Sequence, residues 1–432
     1  MDSHHLTIFP NRVRLIFVSL SLMLALPQMT YAGPGEFETV DHVYQDFIKT
    51  VKFSLSGLPN TMPITQMGTG ELNLSFDDLQ ANFKDIRYRI VHCDMDWNPS
   101  DLQEQDYISG FNDELVRDFS FSSLAVQNYT HYELFLPNKD LSWKLSGNYL
   151  LHLYQDDNKQ PLITRRFCVV EPIMKLFGGM VTPYNATKYN THHELDFRVQ
   201  MGASRMINPM LEVRATILQN NRWDKAIQSV APNYIMGEDL QFKFQDKITF
   251  EAGKEFRPCD IRSAKYKSEF VNNLELTTEG FYAALRTDKP RSDQNYLSRR
   301  DINGSFVLEN ADRPGDDALN SEYIHVLFRL QTPEDPMEDF YVIGAFCDWT
   351  CSYDNKMVYD EKTNCYIANI FLKQGYYDYI YAMSAPDKCN LDSSELEGNW
   401  YETENTYNIL IYYRQQGERY DRLVANGAIS SK

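Results

Sequence analysis

The sequence predicts an all-β protein built from three consecutive immunoglobulin-like β-sandwich domains. Aromatic residues make up 13% of the chain, with 28 Tyr and 25 Phe among them, and such rings favour pleated, half-buried surfaces. Apolar and polar residues alternate with period two in short runs separated by turns, as strands with one buried face require. The 432 residues leave room for about three domains of ~100–200 residues each.

Residues 1–32 read as a secretory signal peptide. Arg12 and Arg14 precede the apolar run Leu15 to Leu26, Pro27 breaks it, and Thr30-Tyr31-Ala32 follows. A basic start, about a dozen apolar residues and a small residue at the end fit cleavage after Ala32. The run is too short to cross ~30 Å of hydrocarbon. The first cysteine is Cys93, which leaves no lipid anchor at the junction, and no later stretch is apolar enough to span a membrane. The mature chain is expected to be exported and soluble.

The first sandwich is expected over 36–172. Leu72, Leu74 and Phe76 alternate with polar residues, as do Ile86, Tyr88 and Ile90, then Tyr132, Leu134 and Leu136, then Tyr149, Leu151 and Leu153. Arg165 to Val170 closes the unit, and Glu171-Pro172 marks a boundary. Helix is scarce. Its clearest candidate follows Ser100, a possible N-cap with Gln103 three residues on.

The central sandwich is expected over 173–311, with strands at Leu195 to Val199, Leu211 to Ile217 and Leu240 to Phe244, then near 268–277, 280–286 and 304–309. Two polar stretches, Arg286 to Asn303 and Asp312 to Asn320, read as connections. The third sandwich is expected over 321–424, from Tyr323 to Leu330 through Cys365 to Leu372 and Tyr376 to Met383 to Asn408 to Tyr413. Strands every 8–12 residues with turns between them are the immunoglobulin-type pattern.

Composition and charge exclude several classes. With 43% hydrophobic residues the chain has ample surface to bury, which excludes general disorder. A formal charge of −18 disfavours nucleic acid, whose phosphates need a basic face. Four of the seven cysteines, Cys347, Cys351, Cys365 and Cys389, lie close together, and one or two disulfides are plausible there, Cys351 pairing with Cys365 or with Cys389. A zinc site is the weaker reading because no C-x-x-C pair is present.

Catalytic signatures are missing. The sequence has no G-x-S-x-G, H-E-x-x-H, P-loop or G-x-G-x-x-G, and no pair of carboxylates stands out by spacing for glycosidase chemistry. No enzyme activity and no cofactor are expected. His192 and His193 open a strand and point to opposite faces, so they read as one solvated and one packed histidine. Asp94, Asp96, Asn98 and Asp101 alternate like calcium ligands, but Pro99 and Gln105 stand where an EF-hand needs Gly and Glu. A tight acidic turn capping the next helix is the better reading.

The sharpest local motif is Gly344-Ala345-Phe346-Cys347-Asp348-Trp349. Gly-x-Phe-x-x-Trp resembles the opening of the early-set modules found beside starch and glycogen enzymes, where the Phe and Trp largely build the core. The tyrosine runs at 376–381 and 412–413 fit alternating strand faces, so some of their rings should meet solvent and offer a protein or glycan contact surface.

Several stretches resemble a family of exported Bacteroidetes proteins associated with the plug of the type IX secretion translocon. They include His92-Cys93-Asp94-Met95-Asp96-Trp97-Asn98-Pro99-Ser100, Thr164-Arg165-Arg166-Phe167, Arg222-Trp223-Asp224, Asp301-Ile302-Asn303-Gly304, Tyr401 to Asn405 and Arg419-Tyr420-Asp421-Arg422. The resemblance implies a non-catalytic periplasmic protein, peripherally associated with the outer membrane, that binds the mouth of a large translocon barrel and closes its pore. One copy per translocon is the simple expectation. Trp97 and Trp400, in polar loop-like surroundings, are the expected aromatic anchors for that partner. An exported glycan-binding sandwich is the alternative, carried by the Gly-x-Phe-x-x-Trp motif alone.

Overall fold

The computed structural model describes residues 37–432, apart from 203–205, 245 and 314. The signal-peptide assignment, with cleavage after Ala32, lies outside the described residues. Among the described residues the α-helices are single turns of four residues, and no helix is long and apolar enough to cross a membrane. The expected all-β sandwich architecture is observed.

In the first domain, one sheet runs in the order His42–Val43, Pro161–Val170, Gly147–Gln155, Ile86–Cys93, Glu114–Leu115. The facing sheet runs Ile48–Leu55, Leu72–Asp78, Thr130–Leu136, Asp118–Phe121. The alternation seen in the sequence places Leu72, Leu74, Phe76, Ile86, Tyr88 and Ile90 in one core between them. The expected helix is a single turn, Glu104–Tyr107, entered from Gln103. Gln103 N donates to Asp106 Oδ2 at 3.1 Å. Ser100 is not the cap, because its hydroxyl pairs with His92 Nδ1 at 3.0 Å.

The sheets do not follow the expected boundaries at 311 and 321. The central domain pairs Val213–Gln219 with Thr406–Tyr413, which in turn pairs with Arg422–Ser430. Its core therefore joins Leu195, Phe197 and Ile217 to Tyr407, Ile409 and Val424. The strands Val271–Thr277, Gly280–Leu285 and Phe306–Leu308 belong instead to the third domain, with Tyr323–Leu330, Cys365–Lys373 and Gly375–Ser384. The third domain is thus inserted between Thr249–Glu251 and Thr406–Tyr413 of the central one. Period-two alternation identifies a strand but not its neighbours, and strands of all three sandwiches carry the same pattern.

The tyrosine runs also differ from expectation. Tyr377, Tyr379, Tyr381, Tyr412 and Tyr413 are all buried. The strand Gly375–Ser384 has Tyr377, Tyr379 and Tyr381 in the third domain's core and Ile380 and Ala382 in a second cluster on its other face. Of these runs Tyr376 alone is half-buried, with Arg262 6.0 Å from its ring centroid.

Candidate functional site

The three domains converge on a cleft of about 880 Å³, a common place for function because domain junctions bring unrelated loops together. Each wall is supplied by a short, well-fixed segment. Arg165 and Arg166 lie on the first domain's strand Pro161–Val170. Asn220 and Asn221, both with φ above +50°, make the tight turn that leads from Val213–Gln219 to Arg222-Trp223-Asp224. Asp348 and Trp349, with φ of 53° and 57°, follow the turn Ala345–Cys347 in the third domain.

Every pair of domains shares a contact here. Between first and central domains, the rings of Trp97 and Trp223 meet edge to face at 4.9 Å. The Arg166 guanidinium lies over both, 4.6 and 5.2 Å from their centroids. Between first and third domains, Arg165 Nη2 lies 3.0 Å from Asp348 Oδ2. Between central and third domains, Arg222 stacks 4.2 Å over Trp349 and is fixed from behind by Asp224 at 2.6 Å. Lys52 bridges from the first domain to the Phe306 carbonyl at 2.6 Å, and burial pushes its ammonium down to about 8.

Further hydrogen bonds fasten the domains away from the cleft. Tyr129 Oη donates to the Ala318 carbonyl at 2.9 Å, and Thr50 and Tyr323 pair through their hydroxyls at 2.6 Å. Asp421 accepts the Met95 amide at 3.0 Å, and Tyr412 Oη donates to Asn148 at 2.8 Å.

The expected partner-binding tryptophans are packed within this frame. Trp97 is 1% exposed. Asp94 Oδ1 accepts the amides of Asp96 and Asn98, at 3.0 and 2.9 Å, and so shapes the turn that delivers Trp97, with φ of 70°, into the joint. Asp94 thus serves the turn, while Asp96 accepts from Ser229 Oγ of the central domain at 3.1 Å. Trp400 is half-buried where the chain returns from the third domain, its amide bonded to Gly253 O at 2.9 Å and Lys254 lying over its ring. Trp97 is therefore not an exposed anchor, because polar neighbours in sequence do not show which domain folds over a ring, whereas Trp400 keeps part of its surface open.

Cys351 is bonded to Cys389, not to Cys365, which is a buried free thiol on the strand Cys365–Lys373. The bond closes the loop just after Asp348-Trp349. Trp349 carries Arg222 over its ring and meets Phe256 in a T-shaped contact at 5.8 Å. Phe306 stacks on Tyr377, with Lys52 over its ring. His193 is the packed histidine, bonded to Tyr407 Oη and the Tyr401 carbonyl. Among the described residues, no three His, Cys, Asp or Glu side chains gather as metal ligands.

Residues 48–171 match the model of the type 9 secretion system plug protein 1st domain. The chain carries a plug-family first domain. The match covers that sandwich from the strand Ile48–Leu55 to the end of Pro161–Val170 and ties the chain to type 9 secretion. A crystal structure of a hypothetical protein from Parabacteroides merdae has a TM-score of 0.87 and 28% identity, covering 91% of this chain and 100% of that one. The C-terminal domain of the Streptococcus pyogenes antigen I/II-family protein AspA covers 88% of this chain and 99% of that one, at 7% identity and a TM-score of 0.16, too low to bear on the fold. No curated protein matches the chain.

The stretches that carry the plug-family resemblance meet at the joint. Trp97, Arg166 and Trp223 touch one another, Gly304 lies under Trp349, Asn405 bonds Asn220, and Asp421 bonds Met95. Arg165, Arg166 and Trp223 were visible in the sequence as parts of those stretches. Their convergence was not, since they lie on different domains.

Proposed function

We propose that this chain is a non-catalytic periplasmic component of type 9 secretion that binds the periplasmic mouth of the outer-membrane translocon barrel and closes its pore when no substrate is in transit. The observation that carries the reading is the plug-family first domain at residues 48–171. The joint supports it. A stopper for a pore wide enough to pass folded cargo must be broad and must not yield, and three sandwiches fastened pairwise by Trp97–Trp223, Arg165–Asp348 and Arg222–Trp349 form one block. The charge of −18 favours fast, reversible docking on basic patches of a partner over an obligate apolar interface.

The test is affinity capture of the tagged, signal-bearing chain from its host in mild detergent. The expected result is one very large outer-membrane barrel in stoichiometric amount, with the chain at its periplasmic mouth by cryo-electron microscopy. Deletion should make the outer membrane leaky to small solutes. Capture without a barrel, or deletion without leakage, would remove this reading.

A further inference from the structure

The two edges of the first domain's outer sheet are finished differently. The Ile48–Leu55 edge carries Lys49 and Lys52 with a register shift between them, and the third domain covers it through Lys49–Asp354 and Lys52–Phe306. Charged residues and bulges of this kind protect an edge from pairing. The opposite edge, Asp118–Phe121, is exposed at all four residues. It carries no lysine, proline or register shift.

Phe119 and Phe121 are 37% and 54% exposed, and Phe83 beside them 52%. Their rings touch, Phe83 to Phe119 at 4.9 Å and Phe119 to Phe121 at 5.9 Å. Phe119 also reaches the core ring Tyr132 at 5.9 Å, so the patch is an open flank of the sandwich core. Clustered exposed rings of this size mark interaction sites.

The backbone is presented as well. Ser122 N donates to Tyr129 O at 2.9 Å, and opposed residues of an antiparallel ladder alternate between bonded and unbonded pairs. With Phe119 opposite Tyr132 and Phe121 opposite Thr130, the N–H and C=O groups of Phe119 and Phe121 point out of the edge.

The segment that follows is held firmly. Ser123 N donates to Leu319 O, Arg313 to Leu124 O, and Val126 N to Glu322 Oε2. The patch is therefore continuous with the interface between the first and third domains. The charges on this edge are acidic: Asp118 opens the strand directly opposite Glu133, while the nearby Arg117 is committed to Glu114 and Asp140.

We infer that Asp118–Phe121 is a strand-addition edge, on which an extended partner segment of alternating apolar and basic residues pairs with the outward backbone groups of Phe119 and Phe121 and covers their rings. This recognition mode takes affinity from main-chain bonds and specificity from alternate side chains. The identity of the partner as the translocon barrel rests on the proposed function; the edge itself does not.

The experiment uses the purified mature chain and a short synthetic peptide with Val and Phe on one face, Thr on the other and Lys at both ends. Amide hydrogen exchange at Phe119 and Phe121 should slow about tenfold or more on saturation, with Ser120 unchanged. Phe121→Pro should abolish binding by removing an outward donor, and Phe121→Ser should weaken it while keeping the backbone. Equal protection across many acidic loops, or peptide-independent dimerisation through this edge, would overturn the inference.

In the host, Phe121→Pro should also lose the barrel in affinity capture. Peptide binding without any barrel in the wild-type capture keeps the edge and removes the plugging role. Barrel capture that survives Phe121→Pro, with no peptide protection, does the reverse.

Discussion

Lys373 of the third domain places its ammonium 2.7 Å from Asp77 Oδ2 of the first, and both side chains are fully buried. His131 bonds the other carboxylate oxygen at 2.6 Å, and Tyr323 Oη donates to Oδ2 at 2.7 Å. Burial alone would raise the Asp77 carboxyl, but Lys373 and His131 bring it below the ordinary carboxylate range. Asp77 therefore contributes stability that is present above the ordinary carboxylate pKa and lost as pH falls through its folded value. Asp77→Asn leaves Lys373 buried without a counter-ion and should cost roughly 3–5 kcal/mol. Urea unfolding checks this, and a cost below about 1 kcal/mol would show that water reaches the pair.

His92 and His152 predict a second loss in acid. Burial pushes them from 6.5 down to about 4 and about 3, with Arg89 adding to the effect on His152. Both are neutral in the fold, while the unfolded chain takes up protons near pH 6.5. Stability is full above pH 6.5 and falls as pH drops toward 4, by on the order of 3 kcal/mol for each ring. Urea midpoints between pH 7.5 and 4.5 should fall, and His152→Gln should flatten that slope.

Gly304 has φ of +77°, and a Cβ there would lie 2.3 Å from Trp349 Cη2. Gly304→Ala should cost about 2 kcal/mol or more, since it combines backbone strain with overpacking. It should also lift Trp349 from Arg222, which tryptophan fluorescence would report. An unchanged spectrum would show that the ring has room to move.

Cys351–Cys389 should stabilise the third domain by roughly 2–4 kcal/mol. Reduction, or Cys351→Ser with Cys389→Ser, should lower that domain's unfolding transition and loosen Asp348 from Arg165. Non-reducing peptide mapping should find this pair and leave Cys365 as a thiol.

What the sequence revealed was local. Leu72-x-Leu74-x-Phe76 announced a strand and its buried face, because period-two alternation is set within the strand itself. The membership of Thr406–Tyr413 in the central domain was hidden, because pairing with Val213–Gln219 reaches across about two hundred residues and leaves no trace in either strand's pattern. Trp97 was recognised as important but given the wrong environment. Its neighbours are polar because they build a turn, while the ring itself is covered by Trp223 of another domain. Cys365 failed as a disulfide partner for a similar reason: spacing along the chain does not show where a side chain lies, and this thiol is buried at the start of Cys365–Lys373, 3.3 Å from the Thr363 carbonyl.

The insertion of the third domain has a consequence for how the chain is made. Synthesis runs from the N-terminus, so the first sandwich has all its strands once Val170 has emerged. The central sandwich must wait. Its strand Val213–Gln219 stays without one neighbour until Thr406–Tyr413 and Arg422–Ser430 appear, after the whole inserted domain. A chain truncated before Thr406 would hold two finished domains joined by an open half-sheet, and only the last few dozen residues close the block.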